Sequence, residues 1–102
     1  MLSPNIQSII PQMQSYFKQQ PIEKVWLFGS CSRGEEREDS DIDILVSFDK
    51  NSRVTLLTMG GIYMDLKELL RRDVDLVEEG TLMPFATASA NRDKILIYER
   101  GN

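Results

Sequence analysis

The sequence has no histidine and only one cysteine among its 102 residues. Without histidine there is no imidazole general base, and every Ser-His-Asp or Cys-His arrangement for nucleophilic catalysis is excluded. An ordinary Cys/His zinc site is excluded as well, and one cysteine cannot staple the fold internally. Long apolar runs are also missing: the longest, Val25 to Phe28 and Ile95 to Tyr98, are far too short to cross a bilayer. No charged segment followed by a long apolar run opens the chain, so no secretory signal is expected. A positive field is lacking too, since sixteen acids against twelve bases leave a net charge of −4. That balance argues against broad binding to nucleic acid or to an anionic membrane. What is present, 41% hydrophobic and 27% charged residues, is the composition of a globular protein. The expectation is a reduced, cytoplasmic chain forming one domain over residues 1–102, whose chemistry comes from carboxylates, hydroxyls, backbone amides and a bound cation.

Apolar spacing divides the chain into alternating elements. Ile6, Ile9, Ile10, Met13, Tyr16 and Phe17 recur at helical intervals, with Ser3 as a cap, Pro4 at the first position and Pro21 as a stop. Pro11 lies inside the pattern and predicts a kink or a later start. Val25-Trp26-Leu27-Phe28 reads as a strand buried on both faces, followed by a short helix after Ser30. Asp41 to Phe48 reads as a second strand, Thr55 to Arg71 as a helix weakened by Gly60-Gly61, and Asp73 to Val77 as a third strand. A helix is predicted from about Pro84 to Asn91, and Ile95 to Tyr98 is a last strand or a helix end. The order predicts an α/β or α+β fold, a small mixed sheet flanked by helices.

Two features within this frame could carry chemistry. Gly29-Ser30 follows a buried strand directly. Glycine there lets the backbone approach a ligand closely, and a following helix start offers N–H groups to a phosphate. Asp41-Ile42-Asp43 is the second. In a strand both carboxylates share one face while Ile42 packs on the other. Asp75, in Val74-Asp75-Leu76-Val77, sits in an equivalent apolar setting. Aspartate is a poor strand residue, and a hard cation such as Mg²⁺ would relieve the repulsion between like charges held this close. Composition alone favours a solvated loop for the run from Glu35 to Asp43, which holds six acids and one base.

Ten residues, Cys31 to Ser40, separate Gly29-Ser30 from Asp41-Ile42-Asp43. Gly-Ser, ten residues and Asp-x-Asp resemble the signature of the polymerase-β-like nucleotidyltransferase superfamily. The words Phe28-Gly29-Ser30-Cys31-Ser32-Arg33-Gly34 and Ser40-Asp41-Ile42-Asp43-Ile44-Leu45-Val46 look like its minimal members, the MNT proteins that pair with HEPN toxins. The resemblance runs from Val25 to about Val77 and implies that superfamily's fold. It implies that Gly29 and Ser30 hold the phosphates of ATP, with Arg33 a further candidate beside them. Asp41 and Asp43 would bind Mg²⁺, two ions in all, with a third carboxylate from the neighbouring strand. Asp75 fits that third place better than Asp73, which lies on the same face two residues earlier. Cys31 falls at a variable position and reads as a spacer.

The resemblance further implies transfer of AMP from ATP to a tyrosine of a HEPN ribonuclease toxin, which silences it. In so short a chain no further domain is available to grip an acceptor, so a partner protein is expected to bring it. An apolar surface for that partner could come from the Met59 to Leu70 helix or from Met83 to Ala90, although both also read as core. The alternative is a binding module that neutralises its partner by contact alone. A small-molecule acceptor is the third reading.

Overall fold

The computed structural model describes residues 2–35, 37, 41–79 and 93–101. Helix α1 spans Pro4–Phe17, and strand β1 spans Ile22–Phe28. A 3₁₀ turn over Gly29–Arg33 leads towards β2, Ile42–Phe48. Helix α2, Leu56–Leu70, then returns the chain to β3, Val74–Glu78, and β4 is Ile95–Glu99. The sheet order is β3-β2-β1-β4. β1 runs antiparallel to β2 and β4, while β3 lies parallel to β2, with α2 as the crossover that a parallel pair requires. The expected mixed sheet with helices is therefore present. Among the described residues no helix is long and apolar enough to cross a membrane.

Alternation sets which face each strand turns to the helices. Val25 and Leu27 of β1 and Ile42, Ile44 and Val46 of β2 are fully buried, in one cluster with Ile6, Met13 and Phe17 of α1 and Ile62, Leu66 and Leu70 of α2. The intervening residues point to the opposite face, where Trp26 sits across from Leu45 and Phe28 across from Asp43. A one-residue slip would carry the aspartates into the apolar cluster, so the core fixes the register that places them.

The helix boundaries follow local chemistry. Ser3 Oγ accepts a hydrogen bond from the Ile6 amide at 3.2 Å, a cap worth about 1 kcal/mol. α1 continues through Pro11 and ends at Phe17, four residues before Pro21, so Pro11 neither delays its start nor interrupts it. Thr55 and Thr58 exchange side-chain and backbone hydrogen bonds of 3.2 and 3.3 Å at the start of α2. Arg71 closes that helix at φ 54°, the left-handed conformation that favours glycine. Between the helices the Tyr16 hydroxyl donates to Asp65 at 2.6 Å, and burial followed by this bond pushes the phenol above the usual tyrosine range.

Several expected bounds shift. β1 begins at Ile22, which is fully buried and separated from Lys24 by a register shift against β2. Asp41 and Asp73 lie just outside β2 and β3, and Ile95–Glu99 is a strand. The helix predicted over Pro84 to Asn91, and with it the Met83 to Ala90 surface, lies outside the described residues. α2 divides its apolar residues: Ile62, Leu66 and Leu70 are core, whereas Leu56, Leu57 and Met64 are exposed.

Candidate active site

The candidate residues meet where β1 ends and β2 and β3 begin. Phe28 and Asp43 are register partners across β1 and β2, and Asp43 and Asp75 are partners across β2 and β3. Parallel partners share a face, so the Asp43 and Asp75 side chains stand side by side. Asp41 is exposed, two residues before Asp43 at the mouth of β2. Asp73 is engaged elsewhere: its carbonyl accepts the Ile42 amide at 3.0 Å, and its carboxylate pairs with Lys67 at 3.4 Å. The register pairs Asp75, and not Asp73, with Asp43.

Gly29 closes the other side. Its φ is +70°, and a Cβ there would overlap Oδ2 of Asp43. Glycine is required twice over, by the backbone conformation and by the carboxylate against which it packs. The next residues form a 3₁₀ turn of Gly29–Arg33, so the short helix expected after Ser30 is present in this tighter form and starts at Gly29. Ser32 Oγ donates to the Gly29 carbonyl at 2.8 Å, and the Glu35 amide donates to the Ser30 carbonyl at 2.9 Å. These bonds fix the turn and leave the Ser30 hydroxyl without a hydrogen bond among the described residues. Cys31 is buried with its Sγ 3.2 Å from the Phe28 carbonyl, a packed spacer with no access to a substrate.

The charge distribution is uneven. Asp43 is half-buried, and its carboxyl is pushed up to about 6, first by burial and then by the charges of Asp75 and Asp41; Arg33 opposes the shift. Three like charges therefore act on one another at this corner, with Arg33 as the nearby cation. Its Nε bonds Glu35 at 2.5 Å and its Nη1 bonds Asp93 at 2.7 Å. Asp93 comes from the segment just before β4 and escapes sequence reasoning, because nothing in the sequence signals a contact across 60 positions. Among the described residues no three acidic or thiol side chains already form a closed ligand set. The donor set nonetheless suits a hard cation. It consists of carboxylates, and the central one is raised by neighbours whose repulsion a divalent ion would relieve.

Residues 11–102 match the model of the Polymerase beta nucleotidyltransferase family. The chain belongs to this family. Among curated nucleotidyltransferase relatives, the protein adenylyltransferase MntA of Thermococcus cleftensis is 34% identical over 76 residues, covering 74% of this chain and 75% of the relative. A solved structure assigned as a minimal nucleotidyltransferase is 34% identical, with a TM-score of 0.76, covering 93% of this chain and 95% of that one. The fold also matches a complex of the tri-AMPylated Shewanella oneidensis HEPN toxin with its MNT antitoxin. That match has a TM-score of 0.69 and 19% identity, covering 92% of this chain and 72% of that one. The nucleotidyltransferase fold and the resemblance to minimal members therefore hold.

Proposed function

We propose that this nucleotidyltransferase, acting as a single domain, is a Mg²⁺-dependent protein adenylyltransferase that moves AMP from ATP to a tyrosine hydroxyl of a HEPN toxin and so serves as its antitoxin. The observation that carries the reading is the corner itself: Gly29 packed against Asp43, with Asp75 as the register partner of Asp43. The adenylyltransferase relatives and the AMPylated HEPN complex support the choice of reaction and acceptor.

Asp41, Asp43 and Asp75 are the residues that would hold Mg²⁺, which when bound neutralises triphosphate charge and stabilises the pyrophosphate leaving group. The remaining work falls to the protein. The Gly29 backbone and the Ser30 hydroxyl receive phosphate oxygens at the head of the 3₁₀ turn, and Arg33 adds a positive charge beside them. The acceptor hydroxyl oxygen attacks the α-phosphorus, the bond to pyrophosphate breaks, and Asp75 takes the hydroxyl proton. Asp75 suits that role because it is exposed at the edge of the cluster, open to an acceptor carried by another protein. Positioning and charge neutralisation need few other groups, and none of them is histidine.

Incubation with the HEPN protein and ATP labelled at either the α- or the γ-phosphate tests the reaction. Adenylyl transfer puts the α-label on the partner and leaves the γ-label in pyrophosphate. The γ-label on the partner would mean phosphorylation, and no label alongside a stable complex would mean neutralisation by contact alone.

A further inference from the structure

We propose that Asp93 is a positioning residue for Arg33, holding its guanidinium where it meets the phosphates of a bound nucleoside triphosphate. The inference rests on the reading of Gly29, Ser30 and Arg33 as the phosphate side of the site. Arg33 ends the 3₁₀ turn that Gly29 begins, the same turn whose first residue packs against Asp43. Its two carboxylate partners differ in kind. Glu35 is two residues away on the same loop and moves with it, so that bond alone leaves Arg33 free to swing with the turn. Asp93 lies outside that loop, two residues before β4, which pairs directly with β1. Its bond to Arg33 therefore ties the turn to the sheet that carries Asp43.

The environment of the pair favours a fixed geometry. The Asp93 side chain is 17% exposed, against 60% for Glu35, so the Asp93 contact is the less screened by water. The adjacent Lys94 ammonium lies 4.4 Å from the centre of the Trp26 ring, which holds this segment against β1 from a second point. Guanidinium geometry then decides what is left over. Nε goes to Glu35 and Nη1 to Asp93, while Nη2 makes no hydrogen bond among the described residues. A planar guanidinium fixed at Nε and at Nη1 by two carboxylates presents its Nη2 in a set direction, which suits a phosphate oxygen. Lysine, a point charge on a flexible stem, could not be aimed in this way.

Calorimetric titration of the full chain with a non-hydrolysable ATP analogue and MgCl₂ tests the inference through binding alone. The proteins are wild type, Asp93→Asn, Asp93→Glu, Arg33→Ala and the Arg33→Ala/Asp93→Asn pair. Asp93→Asn is expected to raise Kd about fivefold, while in the Arg33→Ala background the same change has no further effect. Asp93→Glu, which keeps the charge, is expected to recover most of the affinity. Should the Asn variant fail to fold, Asp93→Ser enters the same cycle. Wild-type affinity in Asp93→Asn beside weak binding in Arg33→Ala would overturn the role of Asp93 and leave that of Arg33 standing. An equal loss from Asp93→Asn with and without Arg33 would reduce Asp93 to a structural residue. Tighter binding in Asp93→Asn would mean that Asp93 competes with the phosphates, and wild-type binding in Arg33→Ala would overturn both assignments.

Discussion

Asp43 is the residue on which stability and function pull apart. Its carboxylate is half-buried, packed against the Gly29 backbone and flanked by Asp75 and Asp41, and so it destabilises the metal-free fold at neutral pH. Asp43→Asn keeps the shape and removes the charge. Allowing for solvent screening at a half-buried site, it should stabilise the metal-free protein by about 1 kcal/mol while abolishing nucleotide transfer. Chemical denaturation in EDTA alongside a transfer assay measures both effects. Gly29→Ala should do the reverse, since the new methyl meets Asp43 in a left-handed conformation. The expected cost is about 2 kcal/mol or more, with loss of nucleotide binding, read from the denaturation midpoint and from titration. Both residues were legible in the sequence because their chemistry is local: a glycine after a buried strand, and acids where strands disfavour them. The Arg33–Asp93 bond was not legible, because it joins positions that only the folded sheet brings together.

The elements were legible wherever periodicity and packing agreed. β2 declares itself through alternation, with Ile42, Ile44 and Val46 inward and Asp43 outward. α2 is the instructive exception. Its apolar residues cover more than one face, and the single core strip actually used, Ile62, Leu66 and Leu70, leaves Leu56 90% and Leu57 88% exposed. Helical spacing identifies a helix but does not say how much of its surface the sheet can cover. Pro11 does not delay or end α1: the helix runs through it, and its anchors Ile6, Met13 and Phe17 are fully buried on either side. At the other end of α2, Arg71 holds a conformation that costs a residue with a Cβ. Arg71→Gly should therefore stabilise the fold by about 0.5–1 kcal/mol, checked by the shift in denaturation midpoint. Leu66→Ala, within the packed strip, should cost about 2–5 kcal/mol by the same measurement.

For the whole molecule, the acidic corner makes stability depend on pH and metal together. The Asp43 carboxyl titrates near 6 in the folded state, whereas in the unfolded chain it titrates near the ordinary value of about 4. Between those values the folded state keeps a proton that the unfolded chain has lost. Acidification from pH 7 to 5 should therefore stabilise the metal-free protein, and raising the pH through 6 should remove that gain. Denaturation at the two pH values should show the effect in wild type and lose it in Asp43→Asn. Mg²⁺ binding requires the deprotonated carboxylate, so the stabilisation it confers should be larger at pH 7 than at pH 5.

The central claim joins this corner to a reaction on a partner. The most direct measurement is the intact mass of the HEPN protein after incubation with ATP and Mg²⁺, once with the wild-type chain and once with Asp41→Asn/Asp43→Asn. An adenylyl adduct on a tyrosine is expected with the wild type, and an unmodified partner with the double variant. An adduct formed equally well by the double variant would contradict the site, and an unmodified partner in a stable complex with the wild type would contradict the reaction.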